Sequence, residues 1–158
     1  MKYYTGIGSR ETPIELKPII NVITKLLYFR GYTLRSGGAD GADSFFEEDI
    51  DIKEIYLPWR SFNNNRSSLY RMTDEGYYLA EQYHPVWNKL SDAAKKLMVR
   101  NCYQVLGYDL QTPSDFIICW TKDGKDTGGT GQAIRLATAC NIPVYNLYYG
   151  IEVLNFLK

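Results

Sequence analysis

Neither sign of charge prevails in this sequence. Lys and Arg together number 18, as do Asp and Glu, so the net charge is zero. A dedicated duplex-DNA binder carries a basic surplus, which sets that class aside while leaving room for a local basic patch. Long apolar runs are lacking too. No stretch approaches the ~18 consecutive apolar residues of a membrane-spanning helix. The opening MKYYTGIGSR has no apolar segment of the secretory kind. No membrane partner is expected, and the compartment expected is the cytoplasm. Cysteine is scarce: Cys102, Cys119 and Cys140 show neither CxxC nor metal-ligand spacing. Cys119 and Cys140 lie in apolar stretches and are expected in the core. His84 is the single histidine, so no metal site, no histidine triad and no cofactor is expected; it reads as a structural or surface residue. Low-complexity tracts and internal repeats are absent as well.

What the sequence does contain is an alternation of short apolar segments with helical periods. Residues 2–7 predict a first strand. Thr12-Pro13-Ile14-Glu15 has the form of a capping box with proline at the first helical position. The helix it opens runs through Phe29, with Pro18 either kinking it or marking a later start. Residues 32–35 predict strand two, a helix starts near Asp40 to Asp43, and 54–58 predicts strand three, ended by Pro58. Residues 59–76 have no clean period and predict a long loop, which in a compact domain is usually functional. Residues 77–106 read as mostly helical, split by Pro85 and a Ser91-Asp92 cap. Phe116-Ile117-Ile118-Cys119-Trp120 is the continuous apolar run of a central parallel strand. A loop over 121–131, a helix over 132–140, a strand over 143–147 and a short amphipathic helix over 151–158 complete the chain. The predicted fold class is α/β, a Rossmann-like three-layer sandwich with a mainly parallel central sheet, in one domain over 1–158.

Three glycine-containing segments follow predicted strands: GIGSR (6–10), SGGADGAD (36–43) and TGGTG (127–131). Ligands of open α/β sheets bind outside the carboxyl ends of the strands. Glycine lets an anion approach the backbone without a Cβ clash, and a helix N-terminus offers unpaired N–H groups to it. Each segment alone is equally well a tight turn. Together they predict a phosphate-binding rim made of Gly6, Gly8, Ser9 and Arg10, of Ser36, Gly37, Gly38, Ala39, Asp40 and Asp43, and of Thr127, Gly128, Gly129, Thr130, Gly131 and Gln132. None fits GxxxxGK[ST] or the dinucleotide GxGxxG, so an ATPase is not predicted.

The set G-I-G-S-R, S-G-G-A-D-G-A-D and G-G-T-G-Q-A-I resembles the SLOG superfamily. That group includes DNA-processing protein A domains and the lonely-guy cytokinin-activating hydrolases. SGGADGAD resembles the SG(G)ARGID signature of the former. M-V-R-N (98–101), a strand and GGTG are similar to the lonely-guy order of an arginine motif, a strand and PGGxGT. The resemblance implies a nucleotide-type ligand. It also implies a hydrolytic pair, which Arg100 fits in part. Laying residues 128–135 on GGxGTxEE places Ile134 and Arg135 where acids belong, and isoleucine cannot stabilise an oxocarbenium-like charge. Binding without catalysis is therefore the leading expectation. If the chain is an enzyme, Arg100 works with an acid from another segment: Glu47, Glu11 or Asp43.

Several residues carry two readings. Arg10 clamps a phosphate through its planar fork or makes a surface ion pair. Asp40 and Asp43 cap a helix or bond ribose hydroxyls. Arg100 and Asn101 point into the cleft, Asn101 towards a base or ribose edge, or stay structural. Trp120 stacks on a base or covers the sheet edge. Arg60, Arg66 and Arg71, interleaved with Trp59, Phe62 and Tyr70, form a single-stranded DNA groove or a solvated loop.

Three functions follow as expectations. The first is a sensor or sink for an ADP-ribose, cyclic ADP-ribose or NAD type of ligand, which by analogy would suit a phage or mobile-element protein that counters defence signalling. The second is a nucleoside 5'-monophosphate N-glycosidase, and the third is single-stranded DNA binding. The tyrosine-rich surface would also admit a homodimer.

Overall fold

The apolar run Phe116–Trp120 forms an inner strand, buried on both faces. In the computed structural model, which describes residues 1–158, β4 (Phe116–Trp120) lies between β1 (Lys2–Gly8) and β5 (Val144–Asn146). β2 (Tyr32–Ser36) flanks β1 on its other side, and β3 (Lys53–Ile55) forms that edge. The order is β3-β2-β1-β4-β5 and every pairing is parallel. The α/β class with a central parallel sheet is as expected from the alternation of segments.

Helices cover both faces. α1 (Lys17–Phe29) and α2 (Ala42–Glu47), with the C-terminal 3-10 turns, pack on one; α3 (Asp74–Tyr83), α4 (Asp92–Leu106) and α5 (Gly128–Ala139) pack on the other. The strand period of two sorts β4 accordingly. Phe116 and Ile118 join Ile20, Leu27, Leu34 and Phe46, whereas Ile117 and Cys119 join Val99, Tyr103, Ala133 and Ile134. α4 is buried without a break from Met98 to Leu106, because α3, α5 and the sheet surround its C-terminal half. Each fully buried valine or leucine contributes roughly 1.5–3 kcal/mol.

One charge is buried in the sheet itself. Arg35, 2% exposed, reaches Glu54 at 2.9 Å and the Thr112 carbonyl at 2.6 Å, and it stacks 3.8 Å from the Tyr3 ring. These contacts hold the segment after α4 against the β2–β3 edge.

Local chemistry moved several boundaries. Thr12 makes no cap: its hydroxyl donates to the Ser9 carbonyl at 2.6 Å. Residues 14–16 form a 3-10 turn, and α1 starts at Lys17, because Pro18 lacks an N–H and is tolerated only in the first turn. The third strand is Lys53–Ile55 rather than 54–58: the Tyr56 amide still donates to the Ser36 carbonyl at 2.9 Å, but from there the backbone turns to pair with Leu69. α3 starts at Asp74, earlier than the sequence predicts, because the Thr73 hydroxyl accepts from the Gly76 amide at 3.1 Å. α5 begins at Gly128, so the GlyGlyThr segment is the first helical turn and not a loop. Cys140 is exposed beyond the end of α5, contrary to the core expectation; Cys102 and Cys119 are buried. The tail is a 3-10 segment, Ile151–Leu157, that buries Leu154 and Leu157.

Candidate functional site

From β1 the chain winds outward through β2 and β3, and from β4 it winds the other way to β5. The strand order therefore reverses between β1 and β4, the place where ligands of such sheets bind. A cleft of about 480 Å³ opens there. Ile7 and Gly8 end β1 and Ser9 to Glu11 follow it, Ala39 and Asp43 come from the second glycine segment, and Leu97, Met98, Arg100, Asn101 and Gln104 project from α4. Thr121 and Lys122 follow β4, and Thr127 to Thr130 open α5. Separate segments do meet at one rim.

The wall at α5 is a helix N-terminus without a side-chain cap and without an acidic residue in its first turn. Its leading amides have no partner within the helix, and the macrodipole adds a partial positive charge. Gly129 leaves space there: a Cβ at that position would come no nearer than 3.6 Å to Met98 and 3.7 Å to Asn101. Arg10 and Lys122 stand exposed at the mouth, Lys122 paired loosely with Glu11 at 3.8 Å.

The inner end is made of buried polar groups. Asp43, 4% exposed, accepts the Gly8 and Ala39 amides at 3.3 Å each. Two of the amides expected to grip an anion thus already face a carboxylate of the protein. Burial pushes Asp43 up to about 6, against the pull of Arg100. Burial also holds the Arg100 guanidinium below its ordinary value, although Asp43 opposes this. Arg100 donates from Nη1 to the Gly37 carbonyl and from Nε to Asn101 Oδ1 at 2.9 Å. Asn101 in turn donates to the Gly129 carbonyl at 2.7 Å.

The sequence-predicted residues divide accordingly. Gly8, Ser9, Arg10, Ala39, Asp43, Arg100, Asn101, Thr127, Gly128, Gly129 and Thr130 line the cleft. Others do not. Gly6 is packed against Phe46, and the Ser36 hydroxyl donates to the Gly6 carbonyl at 2.6 Å. Gly37 lies behind Arg100 and Gln104, and Gly38 sits against Leu57. Asp40 is exposed and accepts from Asn63; it caps nothing, since Gly41 holds the N-cap position of α2 at φ +81°. Gly131 is buried with its α-carbon against the Asp126 backbone, and Gln132 is turned to the Ala80 carbonyl and Arg135. Trp120 stands edge-on to Tyr148 on the α1 face of the sheet, away from the cleft. Glu47 is taken up by Asn65 and Lys53 and is absent from the cleft lining, so the acid near Arg100 is Asp43. Ile134 is a core residue.

Sequence reasoning missed Gln104, Leu97, Thr121 and Lys122. Gln104 lies one helical turn beyond Arg100, a spacing of four that puts both on one face. Of the predicted DNA groove, Phe62 is buried, 5.7 Å from Arg100, while Trp59, Arg60, Arg66, Tyr70 and Arg71 are exposed. His84 accepts the Val86 amide at 3.1 Å. No group of three or more His, Cys, Asp or Glu side chains is placed to hold a metal ion, and no helix is long and apolar enough to cross a membrane.

No protein-family model matches the chain, and no curated protein matches it in sequence. Among solved structures it is similar to DNA processing protein A from Helicobacter pylori, a structure described for its single-stranded DNA binding mode. The two share 15% identity with a TM-score of 0.57, over 99% of this chain and 78% of the other. At that identity the likeness shows a shared Rossmann-like fold.

Proposed function

We propose that this chain binds a phosphate-bearing, nucleotide-type ligand in the cleft between β1 and β4, with a phosphate at the N-terminus of α5. The observation that carries the reading is the convergence at the switch point: an uncapped helix start, two mobile-length cations at the mouth, and a space of about 480 Å³ beside them. That space suits a mononucleotide or a somewhat larger nucleotide. Because Asp43 already occupies the Gly8 and Ala39 amides, the anion belongs on the α5 wall and not on all three glycine segments at once. The ligand class is that of AMP, ADP-ribose, cyclic ADP-ribose and NAD, held as a sensor or sink would hold it. Calorimetric titration with these four is the test. Saturable heat with at least one, displaced by inorganic phosphate at higher concentration, is expected; silence across the panel rejects the reading.

A second reading draws on the structural neighbour, which is described for binding single-stranded DNA. Trp59 and Tyr70 are exposed beside Arg60, Arg66 and Arg71, and such pairings of stacking rings with cations grip single strands. Oligonucleotide anisotropy across a salt series tests it. Affinity falling steeply with salt supports it, and no binding at low salt rejects it.

A further inference from the structure

Gln104 is 1% exposed, yet its side-chain amide makes no hydrogen bond within the protein; only its backbone carbonyl is used, by Thr5 at 2.6 Å and Ser114 at 3.4 Å. Tyr4 Oη is the one fully enclosed side-chain atom without a partner, so the Gln104 amide keeps a little solvent contact and has its donors and acceptor open there. This amide borders the cleft. It also converges with two other polar groups. Gln104 Nε2, Arg100 Nη1 and Asp43 Oδ2 all lie within 2.8 Å of the point where a side chain on residue 37 would begin. Glycine at 37, behind the cleft wall, lets the three pack side by side, and all three residues line the cleft. Arg100 spends Nε on Asn101 and Nη1 on Gly37, which leaves Nη2 free. Each Asp43 oxygen accepts a single amide at 3.3 Å and keeps acceptor capacity.

The chemistry of this group restricts what can dock on it. An anion would meet the Asp43 carboxylate, and a cation would meet Arg100. A neutral group that both donates and accepts satisfies all three. The cleft lining includes no aromatic residue, so no stacking face for a base exists at this depth, while Leu97 and Met98 offer an apolar flank. A vicinal diol fits. Each hydroxyl donates one hydrogen, to Asp43 or to Gln104 Oε1, and accepts from Gln104 Nε2 or Arg100 Nη2.

We infer that Asp43, Arg100 and Gln104 form a subsite for the 2'- and 3'-hydroxyls of a ribose, so that the ligand is a ribonucleotide and not a deoxyribonucleotide. The inference rests on the phosphate reading above, which puts the 5'-phosphate on the α5 wall and directs the sugar inward. It also bears on the single-strand reading, since DNA lacks the 2'-hydroxyl.

The test is pairwise. The four ribonucleoside 5'-monophosphates and their 2'-deoxy counterparts are titrated by calorimetry or equilibrium dialysis against the whole chain. For every base that binds, the ribose form is expected to bind at least about tenfold tighter, since a site built for a hydroxyl penalises its absence. In Gln104→Met and Asp43→Asn, with folding checked by thermal melts, that ratio is expected to fall towards one, because the ribonucleotide loses contacts to both hydroxyls and the deoxyribonucleotide only those to its 3'-hydroxyl. A wild-type ratio below about threefold overturns the diol subsite while the phosphate reading stands. A preserved ratio in both folded variants overturns the assignment to these residues. Binding by none of the eight overturns the diol subsite, and the phosphate reading is then decided by ADP-ribose, cyclic ADP-ribose and NAD.

Discussion

The Asn101 amide donates to the Gly129 carbonyl at 2.7 Å, fastening the middle of α4 to the first turn of α5. The same side chain accepts from Arg100 Nε, so one residue positions both the guanidinium and the turn. Both polar atoms of the Asn101 side chain are thus engaged within the protein, as a positioning residue's would be. Asn101→Ala leaves Arg100 Nε and the Gly129 carbonyl without these partners and is expected to cost about 1–3 kcal/mol of stability. Urea unfolding gives the stability, and nucleotide titration of the folded variant should show weakened binding. Binding unchanged from wild type would show that the turn holds its shape without Asn101.

Gly129→Asp separates helix stability from ligand binding. An acidic side chain in a first helical turn is favourable, by typically 0.3–1 kcal/mol. The position has room for a Cβ, with Met98 and Asn101 at ordinary contact distances. The melting temperature is expected to hold or rise while affinity for phosphate-bearing ligands drops at least tenfold. Unimpaired binding in this variant would move the phosphate off the α5 wall.

Asp43 sets a dependence of stability on pH. Its folded value of about 6 stands above the ordinary value near 3.8, so the folded chain holds the proton more tightly than the unfolded chain does. Stability from this group is then full below about pH 4 and is lost as pH rises through 6. Asparagine mimics the neutral acid. Asp43→Asn should match wild type near pH 4 and exceed it at pH 8 by on the order of 2–3 kcal/mol, the gap opening between pH 4 and 6. Chemical denaturation at several pH values checks this; a difference that does not vary with pH would remove the account.

Thiol accessibility follows from burial. Cys102 and Cys119 are enclosed, which pushes both thiols up to about 12, whereas Cys140 is exposed after α5. A chromogenic disulfide reagent at pH 8 should label one thiol per native chain quickly and all three after unfolding. Two fast thiols in the native state would contradict the packing around α4 and β4.

The fold was legible because its signals are local. A continuous apolar run marks β4, and the Ser91-Asp92 cap marks the start of α4. Boundaries failed where a side chain made an unforeseen bond, as at Thr12 and Thr73, or where the backbone found another partner, as Tyr56 did in Leu69. The site was half legible for a related reason. Glycine segments announce where the backbone can approach a ligand, but not which amides the protein fills itself, as Asp43 does. Strand parity decides which face Trp120 takes. Its neighbour Cys119 faces α4 and α5, so Trp120 must face α1, and the cleft lies on the α4 side. Gln104 was overlooked because it sits among the apolar residues Val105 and Leu106, and only the packing of α4 tells which face looks into the cleft.

The reversal of strand order has a consequence for how the pocket comes into being. Its walls hang from two halves of the sheet that wind in opposite directions, joined in the sheet where β1 meets β4 and across the cleft by α4, which reaches Gly37 through Arg100 and Gly129 through Asn101. Every piece of the pocket is borrowed from a different stretch of polypeptide, and none encloses it alone. Ligand capture is a property of the finished seam, and a ligand that bridges the two halves would clamp them together.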